Sequence, residues 1–232
     1  SGYDGTAVGT DARAIGYQSS AFGSTAYATE KHTLAAGYFS DATAEGATAI
    51  GANSDASGVG SSAFGSFSNA TGENDIAIGL GAQATAKDAI SIGTKNVVSG
   101  EGSGAIGDPT TITGSGTYSV GNNNGTIAAN NSGVFGNNNT ITGALDGVRV
   151  IGNTNTVTAS GAMVMGNNAT VSAADGVALG SNTSVTQEGG VALGSGSVAN
   201  TAAGIAGYVP TNATTAQSDA IAATVATNAA VD

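Results

Sequence analysis

Glycine recurs along this chain at a spacing of 14 residues, and no other feature constrains the fold as strongly. An apolar residue followed by glycine returns at intervals of which 11 out of 13 are 14 residues long, while the other two are 15 and 16 residues. The anchor glycines are Gly9, Gly23, Gly37, Gly51, Gly65, Gly79, Gly93, Gly107, Gly121, Gly136, Gly152, Gly166, Gly180 and Gly194. A fixed period is typical of repeat proteins, in which each repeat is one structural unit that stacks on the next.

Each repeat carries two apolar positions, which predict two short β-strands. The first position directly precedes the anchor glycine, and we expect its side chains to form the core of each coil: Ile50, Phe64, Ile78, Ile92, Ile106, Val120, Phe135, Ile151, Met165, Leu179 and Leu193. The second position lies five residues after most anchors: Ala14, Ala28, Ala42, Ala56, Ala70, Ala84, Val98, Ile112, Ile141, Val157, Val171, Val185 and Ala199. Glycine and asparagine between the strands suit tight turns with positive φ.

Two such short strands cannot bury an apolar face by themselves, so successive repeats must stack as rungs about 4.8 Å apart. A helical alternative fails, because apolar residues do not recur at helical spacing over the first 200 residues and each glycine costs a helix about 1 kcal/mol relative to alanine. The 38 glycines among 232 residues and the 5% aromatic content suit a narrow coil. The sequence therefore predicts an all-β parallel β-solenoid, or β-roll, over residues 1–200.

Several strands are apolar at three successive positions, as in Ile76-Ala77-Ile78 and Met163-Val164-Met165. Both faces of such a strand are expected to be buried, one inside the coil and the other against a partner. We assign the partner-facing stripe to Ala49, Ala63, Ala77, Ala105, Val134, Val150, Val164, Ala178 and Ala192. A continuous stripe is larger than the apolar patches that monomers expose, which favours a lateral homo-oligomer. The alternative is a monomer whose termini cover the stripe.

Charge and composition exclude several classes of partner. Five lysines and arginines stand against 16 acidic residues, for a net charge of −11, and the five are scattered. No basic patch could therefore neutralise neighbouring phosphates, so we expect neither nucleic acid nor an anionic membrane surface as a partner. No run of about 20 apolar residues is present, and the absence of cysteine excludes disulfides and thiolate metal sites.

Catalytic and metal-binding patterns are missing as well. His32 is the only histidine and lies in the polar stretch Glu30-Lys31-His32, which is more typical of a turn than of a catalytic triad. The closest carboxylate pairs, such as Glu73 and Asp75, do not form the GGxGxD pattern of calcium-binding rolls. We expect no enzymatic activity, no cofactor and no metal site.

Asparagines cluster after several anchors, at Asn122, Asn123, Asn124, Asn137, Asn138, Asn139, Asn153, Asn155, Asn167, Asn168 and Asn182. Stacked rungs would arrange them in ladders at one corner, with side-chain amides bonded to the next repeat. A polar ligand-binding edge is the alternative. The glycosylation sequons that begin at Asn69, Asn168 and Asn212 are interpreted as chance matches in an Asn-, Ser- and Thr-rich chain.

Eight of the 11 aromatic residues lie in the first third of the chain. Phe22 and Phe64 precede anchor glycines and are interpreted as packing residues. Aromatic side chains are frequent at the energetic centre of protein interfaces. The candidates for ligand contact are therefore Tyr17, Tyr27, Tyr38, Phe39 and Phe67.

The alternation of Ala49-Ile50-Gly51 and Ala192-Leu193-Gly194 with lighter segments such as Ala56-Ser57-Gly58 resembles the repeat of YadA-like heads in trimeric autotransporter adhesins. The resemblance extends from about Thr6 to about Asn200. It implies a left-handed parallel β-roll in each chain, a laterally packed homotrimer, and display at the tip of a coiled-coil stalk on a bacterial outer membrane. It also implies binding to extracellular-matrix proteins, host cells, abiotic surfaces or like adhesins.

The chain departs from that family pattern in three places. The units of 15 and 16 residues, with Arg149 and the loop near Leu145, are expected to bulge from the regular coil. Residues 201–232 lose the repeat and are interpreted as a connector, in which 220–225 could begin a helix. The family's neck, translocating barrel and membrane anchor are not recognisable, so we expect the anchor to lie in another region of a longer protein.

The leading hypothesis is a non-enzymatic adhesin head that binds through many weak contacts. A spacer that holds another tip domain away from the cell is the alternative. An ice-binding solenoid would need a regular Thr-x-Thr array, and Thr140-Ile141-Thr142 and Thr154-Asn155-Thr156 recur too irregularly to favour it.

Overall fold

A computed structural model describes residues 3–202 and shows a parallel β-solenoid of about 14 turns. Two short strands form each turn, and no helix occurs among the described residues. Both predictions, an all-β solenoid and two strands per repeat, are confirmed. The expected connector lies outside the described residues, apart from Thr201 and Ala202.

The strands of the first seven turns are β1 (Thr6–Val8), β2 (Arg13–Ala14), β3 (Ser20–Phe22), β4 (Tyr27–Ala28), β5 (Leu34–Ala36), β6 (Asp41–Ala42), β7 (Thr48–Ile50), β8 (Asp55–Ala56), β9 (Ser62–Phe64), β10 (Asn69–Ala70), β11 (Ile76–Ile78), β12 (Gln83–Ala84), β13 (Ile90–Ile92) and β14 (Val97–Val98). The remaining strands are β15 (Gly104–Ile106), β16 (Thr110–Ile112), β17 (Tyr118–Val120), β18 (Gly125–Ile127), β19 (Gly133–Phe135), β20 (Thr140–Ile141), β21 (Arg149–Ile151), β22 (Thr156–Val157), β23 (Met163–Met165), β24 (Thr170–Val171), β25 (Val177–Leu179), β26 (Ser184–Val185), β27 (Val191–Leu193) and β28 (Val198–Ala199).

The odd-numbered strands form one continuous sheet of 14 parallel strands, here called the long sheet. The even-numbered strands form the opposite wall of the coil in two pieces. The first short sheet has nine strands, from β2 to β18, and the second short sheet has five, from β20 to β28. Each residue pairs with its equivalent in the next turn, as Ile50 does with Phe64 and Asp55 with Asn69. The sequence repeat is thus also the hydrogen-bonding register.

The buried side chains confirm that one of the two predicted apolar positions faces the interior. They show that the other position faces outward. The positions five residues after the anchors point inward and are buried, as at Ala56 and Val157. Opposite them, however, lies the middle residue of each long-sheet strand, such as Ala49 and Val150, which is completely buried. The residues that directly precede the anchors lie on the outside. The predicted core assignment is therefore wrong for Ile50, Phe64, Ile78, Ile92, Ile106, Val120, Phe135, Ile151, Met165, Leu179 and Leu193, all of which are half-buried or exposed.

The reason for the reversal is the width of the coil. Neighbouring residues of a strand point to opposite faces, so the residue before the anchor and the one preceding it cannot both face inward. Alanine, serine and valine fit between two closely spaced walls, whereas phenylalanine and methionine at every turn would force the walls apart. Isoleucine does occur in the interior, at Ile112, Ile127 and Ile141 of the short-sheet wall. The small residues assigned to a partner-facing stripe are accordingly the core.

Two corners connect the walls. The first corner begins at the anchor glycine and leads into the short strand, and the second corner leads back to the long sheet. The anchor Gly51 has φ of 135°, and Asn53, two residues later, has φ of 55°. The Ser54 hydroxyl closes this corner by donating to the Gly51 carbonyl oxygen at 2.9 Å. Positive φ at two nearby positions explains the regular glycine and the frequent asparagine.

The units of 15 and 16 residues disturb only the wall formed by the short sheets. This confirms the expected irregularity and locates it on that wall. The long sheet continues through them, since Gly133 pairs with Arg149. On the other wall β18 and β20 are not paired, so the short sheets separate there. A groove of about 340 Å³ opens at this break, lined by residues that include Thr126, Thr140 and Gly143. The additional residues are thus accommodated without interrupting the main sheet.

Candidate functional site

The outer face of the long sheet, here called the apolar face, carries most of the exposed large hydrophobic side chains of the described chain. Each strand contributes two outward side chains, the residue before the anchor and the residue three before it. Ile106 is 46% exposed, Ile151 50% and Met165 53%. Register places such residues in one column, so Ile92, Ile106 and Val120 are neighbours. An apolar stripe therefore exists as predicted, but it consists of large side chains rather than of alanine and valine.

Sequence reasoning missed that the first residue of each long-sheet strand shares this face. The available signal was a small residue between two larger ones, as in Ile76-Ala77-Ile78. That alternation marks the middle residue as the one that points into a narrow interior.

Tyr118 and Arg149 interrupt the aliphatic character of the apolar face. With Phe135 they line a hollow of about 440 Å³. Arg149 Nη1 donates to the backbone oxygens of Asn131 at 2.5 Å and Val148 at 3.0 Å. The neighbouring strand begins at Gly133, where a Cβ would come within 3.2 Å of the Phe135 ring and 3.8 Å of Arg149 Cδ. Glycine here makes room for two large side chains, so this part of the face is a distinct local structure.

The five aromatic candidates for ligand contact do not form one surface. Tyr17 lies at the second corner, where its ring stacks on Tyr3 and meets His32 edge-on. Tyr27 lies on the first short sheet beneath the Arg13 guanidinium, 5.4 Å from its ring centre.

The other three candidates, Tyr38, Phe39 and Phe67, lie at the first corner and are here called the corner aromatics. Tyr38 and Phe39 are in edge-to-face contact with ring centres 4.5 Å apart. Phe67 lies two turns further along the column of Phe39, with Asn53 between them. The structure therefore brings together only part of the predicted set.

Phe39 and Phe67 occupy backbone positions that phenylalanine rarely adopts. Their φ values are 51° and 58°, in the left-handed region, whereas the equivalent residue of the intervening turn is Asn53. A side chain other than Gly, Asn or Asp in this conformation is destabilising. Both rings are nevertheless 43% and 61% exposed, so burial does little to offset the strain. The same corner position has a similar φ in most turns, for example at Thr25, Lys95 and Thr154, so the conformation is a requirement of the corner.

Replacing Phe67 by asparagine should raise the free energy of unfolding by about 0.5–1 kcal/mol, because asparagine tolerates this conformation better than phenylalanine. Chemical denaturation checks it. The matched control is Asn53→Phe, which makes the reverse change one turn away and should lower stability by a similar amount. Equal stability of all three proteins would contradict the assignment of strain to this position.

The asparagine clusters form the predicted ladders. One ladder is buried: Asn139 donates from its backbone N and from Nδ2 to Asn124 Oδ1, at 3.0 and 3.1 Å. Asn155 donates in the same two ways to Asn139 Oδ1, each at 3.0 Å. Both amides also donate to an anchor carbonyl of the next turn, Gly152 and Gly166 respectively. These buried amides are satisfied within the coil, as buried polar groups must be, so they stabilise its corner.

A second, exposed ladder follows the same corner one residue after the anchor. The backbone N of Asn122 donates to Asn137 Oδ1 at 2.8 Å, and that of Asn137 donates to Asn153 Oδ1 at 2.9 Å. Asn153 continues the series to Asn167. These hydrogen bonds between neighbouring turns confirm the predicted structural ladder.

The outer faces of the two short sheets differ in chemistry. Near the N-terminal end, Asp41 and Asp55 are register neighbours. Burial raises the pKa of Asp41, and the neighbouring Asp55 carboxylate raises that pKa further. In the first four strands of the second short sheet the equivalent positions are threonine or serine, as in Thr140, Thr156 and Thr170, and in β28 the position is Val198. Sequence reasoning missed this column, although each of these threonines lies four residues after an anchor glycine.

Asp75 is the one aspartate with a completely buried side chain among the described residues. Its two carboxylate oxygens accept hydrogen bonds from the backbone N of Ala89 at 2.9 Å and of Gly72 at 2.7 Å. Burial raises the pKa of Asp75; the two backbone hydrogen bonds lower it, and the charge of Asp88 adds to the rise, so that the net direction is upward. The folded chain thus holds this proton more tightly than the unfolded chain does.

An aspartate with a raised native pKa contributes most to stability below its ordinary value, and the contribution is lost as the pH rises through the native pKa. Replacing Asp75 by serine should therefore flatten the fall in stability above about pH 4, the ordinary range for aspartate. Serine fits the site, because Ser103 occupies the equivalent corner position and accepts from the Thr117 backbone N. Unfolding measured from pH 3 to pH 7 checks this. The control Asp11→Asn removes an exposed carboxylate. If both variants flattened the pH dependence of stability equally, the assignment of the effect to Asp75 would be contradicted.

Three remaining features are His32, groups of possible metal ligands, and helices that could cross a membrane. His32 lies at the second corner with φ of 59°, as expected of a residue in a turn. Within residues 3–202, no group of three or more His, Cys, Asp or Glu side chains could hold a metal ion. No helix in that part of the chain has the length and hydrophobicity needed to cross a membrane.

Comparison with known proteins identifies the repeat. The YadA head domain repeat (two copies) matches residues 1–26, 28–54, 56–82, 84–108 and 151–183, which together are more than half of the chain. The stretch 109–150, which no match covers, contains the break between the short sheets. A comparison with curated proteins gives no match. The 14-residue register, the small-residue interior and these five matches lead to one conclusion: the chain belongs to the YadA head family.

Proposed function

We propose that this chain is the head of a trimeric autotransporter adhesin, in which three left-handed β-rolls pack side by side through the apolar face. The observation that supports the proposal most directly is the column of large hydrophobic side chains along the long sheet, 46% exposed at Ile106 and 50% at Ile151. A stripe that repeats at every turn would be costly in water and is self-complementary in a symmetric assembly. Family membership favours three copies.

In this arrangement the head comprises residues 1–200, and residues 201–232 connect it to a stalk. The protein would be displayed at the bacterial surface, anchored in the outer membrane by another region. The head carries no catalytic role in this proposal and binds extracellular-matrix proteins, cells or abiotic surfaces. Three copies of a repetitive surface would combine weak contacts by avidity.

The corner aromatics are the contact candidates that the proposal retains. Tyr38, Phe39 and Phe67 are exposed, lie away from the apolar face, and include two strained positions. Tyr17 and Tyr27 have ring partners in the chain and lie on other sides of the coil.

Adhesion assays test the function. The 232-residue chain should bind to at least one of collagen, fibronectin, laminin, cultured cells or plastic more strongly than a stalk segment without the head. The variant Phe39→Asn/Phe67→Asn should bind less, whereas Tyr17→Asn, a change of an aromatic residue at the opposite corner, should not. Equal binding by head and stalk would contradict the adhesin proposal and favour the alternative, a spacer that carries a separate tip domain.

A further inference from the structure

Two columns of hydroxyl side chains run along the outer face of the second short sheet, here called the hydroxyl face. Each of four consecutive strands presents a hydroxyl at its first residue and another two residues later. The pairs are Thr140 and Thr142, Thr156 and Thr158, Thr170 and Ser172, and Ser184 and Thr186. The strands pair in register, Thr140 with Thr156, Thr156 with Thr170, and Thr170 with Ser184.

The structure corrects the impression that these threonines recur irregularly. Thr154 lies at the first corner with φ of 58°, so the triplet Thr154-Asn155-Thr156 does not lie on one strand. The pair equivalent to those of the other turns is Thr156, in β22, and Thr158, which directly follows that strand. Counted from the anchor glycines, the positions four and six residues later carry the same Thr/Ser-x-Thr/Ser pattern in four consecutive turns.

The threonine hydroxyls of this face are not used by the fold. None of the six threonines in these four pairs donates a side-chain hydrogen bond to another group of residues 3–202. The residue between the two members of each pair points inward. Ile141, Val157, Val171 and Val185 are buried and hold each strand in place. Backbone bonds such as Thr158 N to Val171 O, at 3.0 Å, fix the outer end of each pair. The face therefore presents free hydroxyls and methyl groups on a rigid frame.

The spacing and chemistry of the hydroxyl face identify the kind of partner. Neighbouring turns lie about 4.8 Å apart, and residues two apart along a strand are separated by about 6.7 Å. A hydroxyl group donates one hydrogen bond and accepts others, as a water molecule does. No charged or aromatic residue lies in either column over these four turns, unlike the centre of a typical protein interface, in which aromatic residues and arginine are enriched. A neutral, two-dimensional array of hydroxyl groups at these regular spacings is comparable to the array of water molecules on a face of an ice crystal.

We propose that the hydroxyl face binds ice. The threonine hydroxyls would take the places of water molecules in the surface layer of the crystal, and the adjacent methyl groups would exclude competing liquid water. The inference deepens the proposed adhesive function, on which it rests, by giving one face of the head a specific ligand. Binding to ice requires a regular array of hydroxyl groups, so a single bulky charged side chain within the columns should abolish the binding.

Ice-affinity partitioning of the full 232-residue chain tests the proposal. When ice grows slowly through a dilute solution, the protein should be enriched several-fold in the ice fraction relative to an unrelated acidic protein. Thr158→Lys, near the centre of the array, should reduce enrichment to the level of that reference. The matched control is Thr71→Lys, an exposed threonine at the same coil position of the first short sheet, where the strand begins with Asn69 instead of threonine; it should retain full enrichment.

The outcomes separate this proposal from the function on which it rests. Circular dichroism melting of both variants shows whether the lysines leave the fold intact. Exclusion of the wild-type chain from ice, or equal losses in Thr158→Lys and Thr71→Lys, would overturn the ice-binding proposal. If the same protein still adhered to collagen, cells or plastic, the adhesin function would stand and the hydroxyl face would not be its ice-binding surface.

Discussion

Replacing Gly51 by alanine is expected to destabilise the solenoid by about 3–5 kcal/mol. Two separate effects combine. Gly51 has φ of 135°, a region that L-amino acids other than glycine hardly enter. A Cβ on Gly51 would also lie 2.5 Å from the carbonyl carbon and oxygen of Gly65 in the next turn. Neither the unfavourable φ nor the close contact with Gly65 can be relieved without separating the turns.

Gly102→Asn is the matched control, because it adds a side chain at a glycine of the second corner where there is space. Gly102 has φ of 60° and no atom within 4 Å of a Cβ, and the equivalent residues Asn74 and Asp88 carry side chains at nearly the same φ. This variant should unfold close to the wild-type denaturant midpoint. In Gly51→Ala the damage should be local at first, since each turn contacts only its neighbours. Limited proteolysis should therefore cut near residue 51. An unfolding midpoint equal to wild type would contradict the close packing of anchor glycines.

Replacing Ile106 by aspartate is expected to dissociate the proposed trimer. Burial of an isoleucine side chain contributes about 1.5–3 kcal/mol, and an unpaired carboxylate in the same place carries a further desolvation cost. Because the substitution enters all three chains, association should weaken by roughly a hundredfold or more. Light scattering coupled to size-exclusion chromatography at micromolar concentration should show the mass of three chains for wild type and of one chain for the variant.

Ile15→Asp serves as the control, since Ile15 is 53% exposed, close to the 46% of Ile106, but lies on the opposite wall of the coil. It should retain the trimeric mass. Dissociation by both substitutions would mean that charge alone, rather than position on the apolar face, controls association. A monomeric wild-type chain would contradict lateral packing through this face at the concentration tested.

Much of the fold could be predicted from the period. The positions of 28 short strands, the buried column that includes Ala56 and Val157, and the asparagine ladders follow from the 14-residue repeat, because a repeat of fixed length places equivalent residues above one another. The irregularity near Gly136 and Gly152 was also visible as two longer intervals. The candidate site was predicted less well, because exposure and proximity depend on which wall or corner carries each residue. Phe39 and Phe67 share a column, whereas Tyr17 and Tyr27 lie elsewhere.

By itself, the sequence determined that successive turns stack in register and that adjacent strand residues face opposite sides. It did not determine which of two adjacent apolar residues faces inward. Only the tertiary structure decided that Ala49 lies in the core and Ile50 outside, because the distance between two walls is a property of the closed coil and limits the side-chain volume between them. The structure likewise decided that Thr140, Thr156 and Thr170, each four residues after an anchor glycine, form one column on the outer face of the second short sheet, because the outward direction of these positions follows from the closed coil.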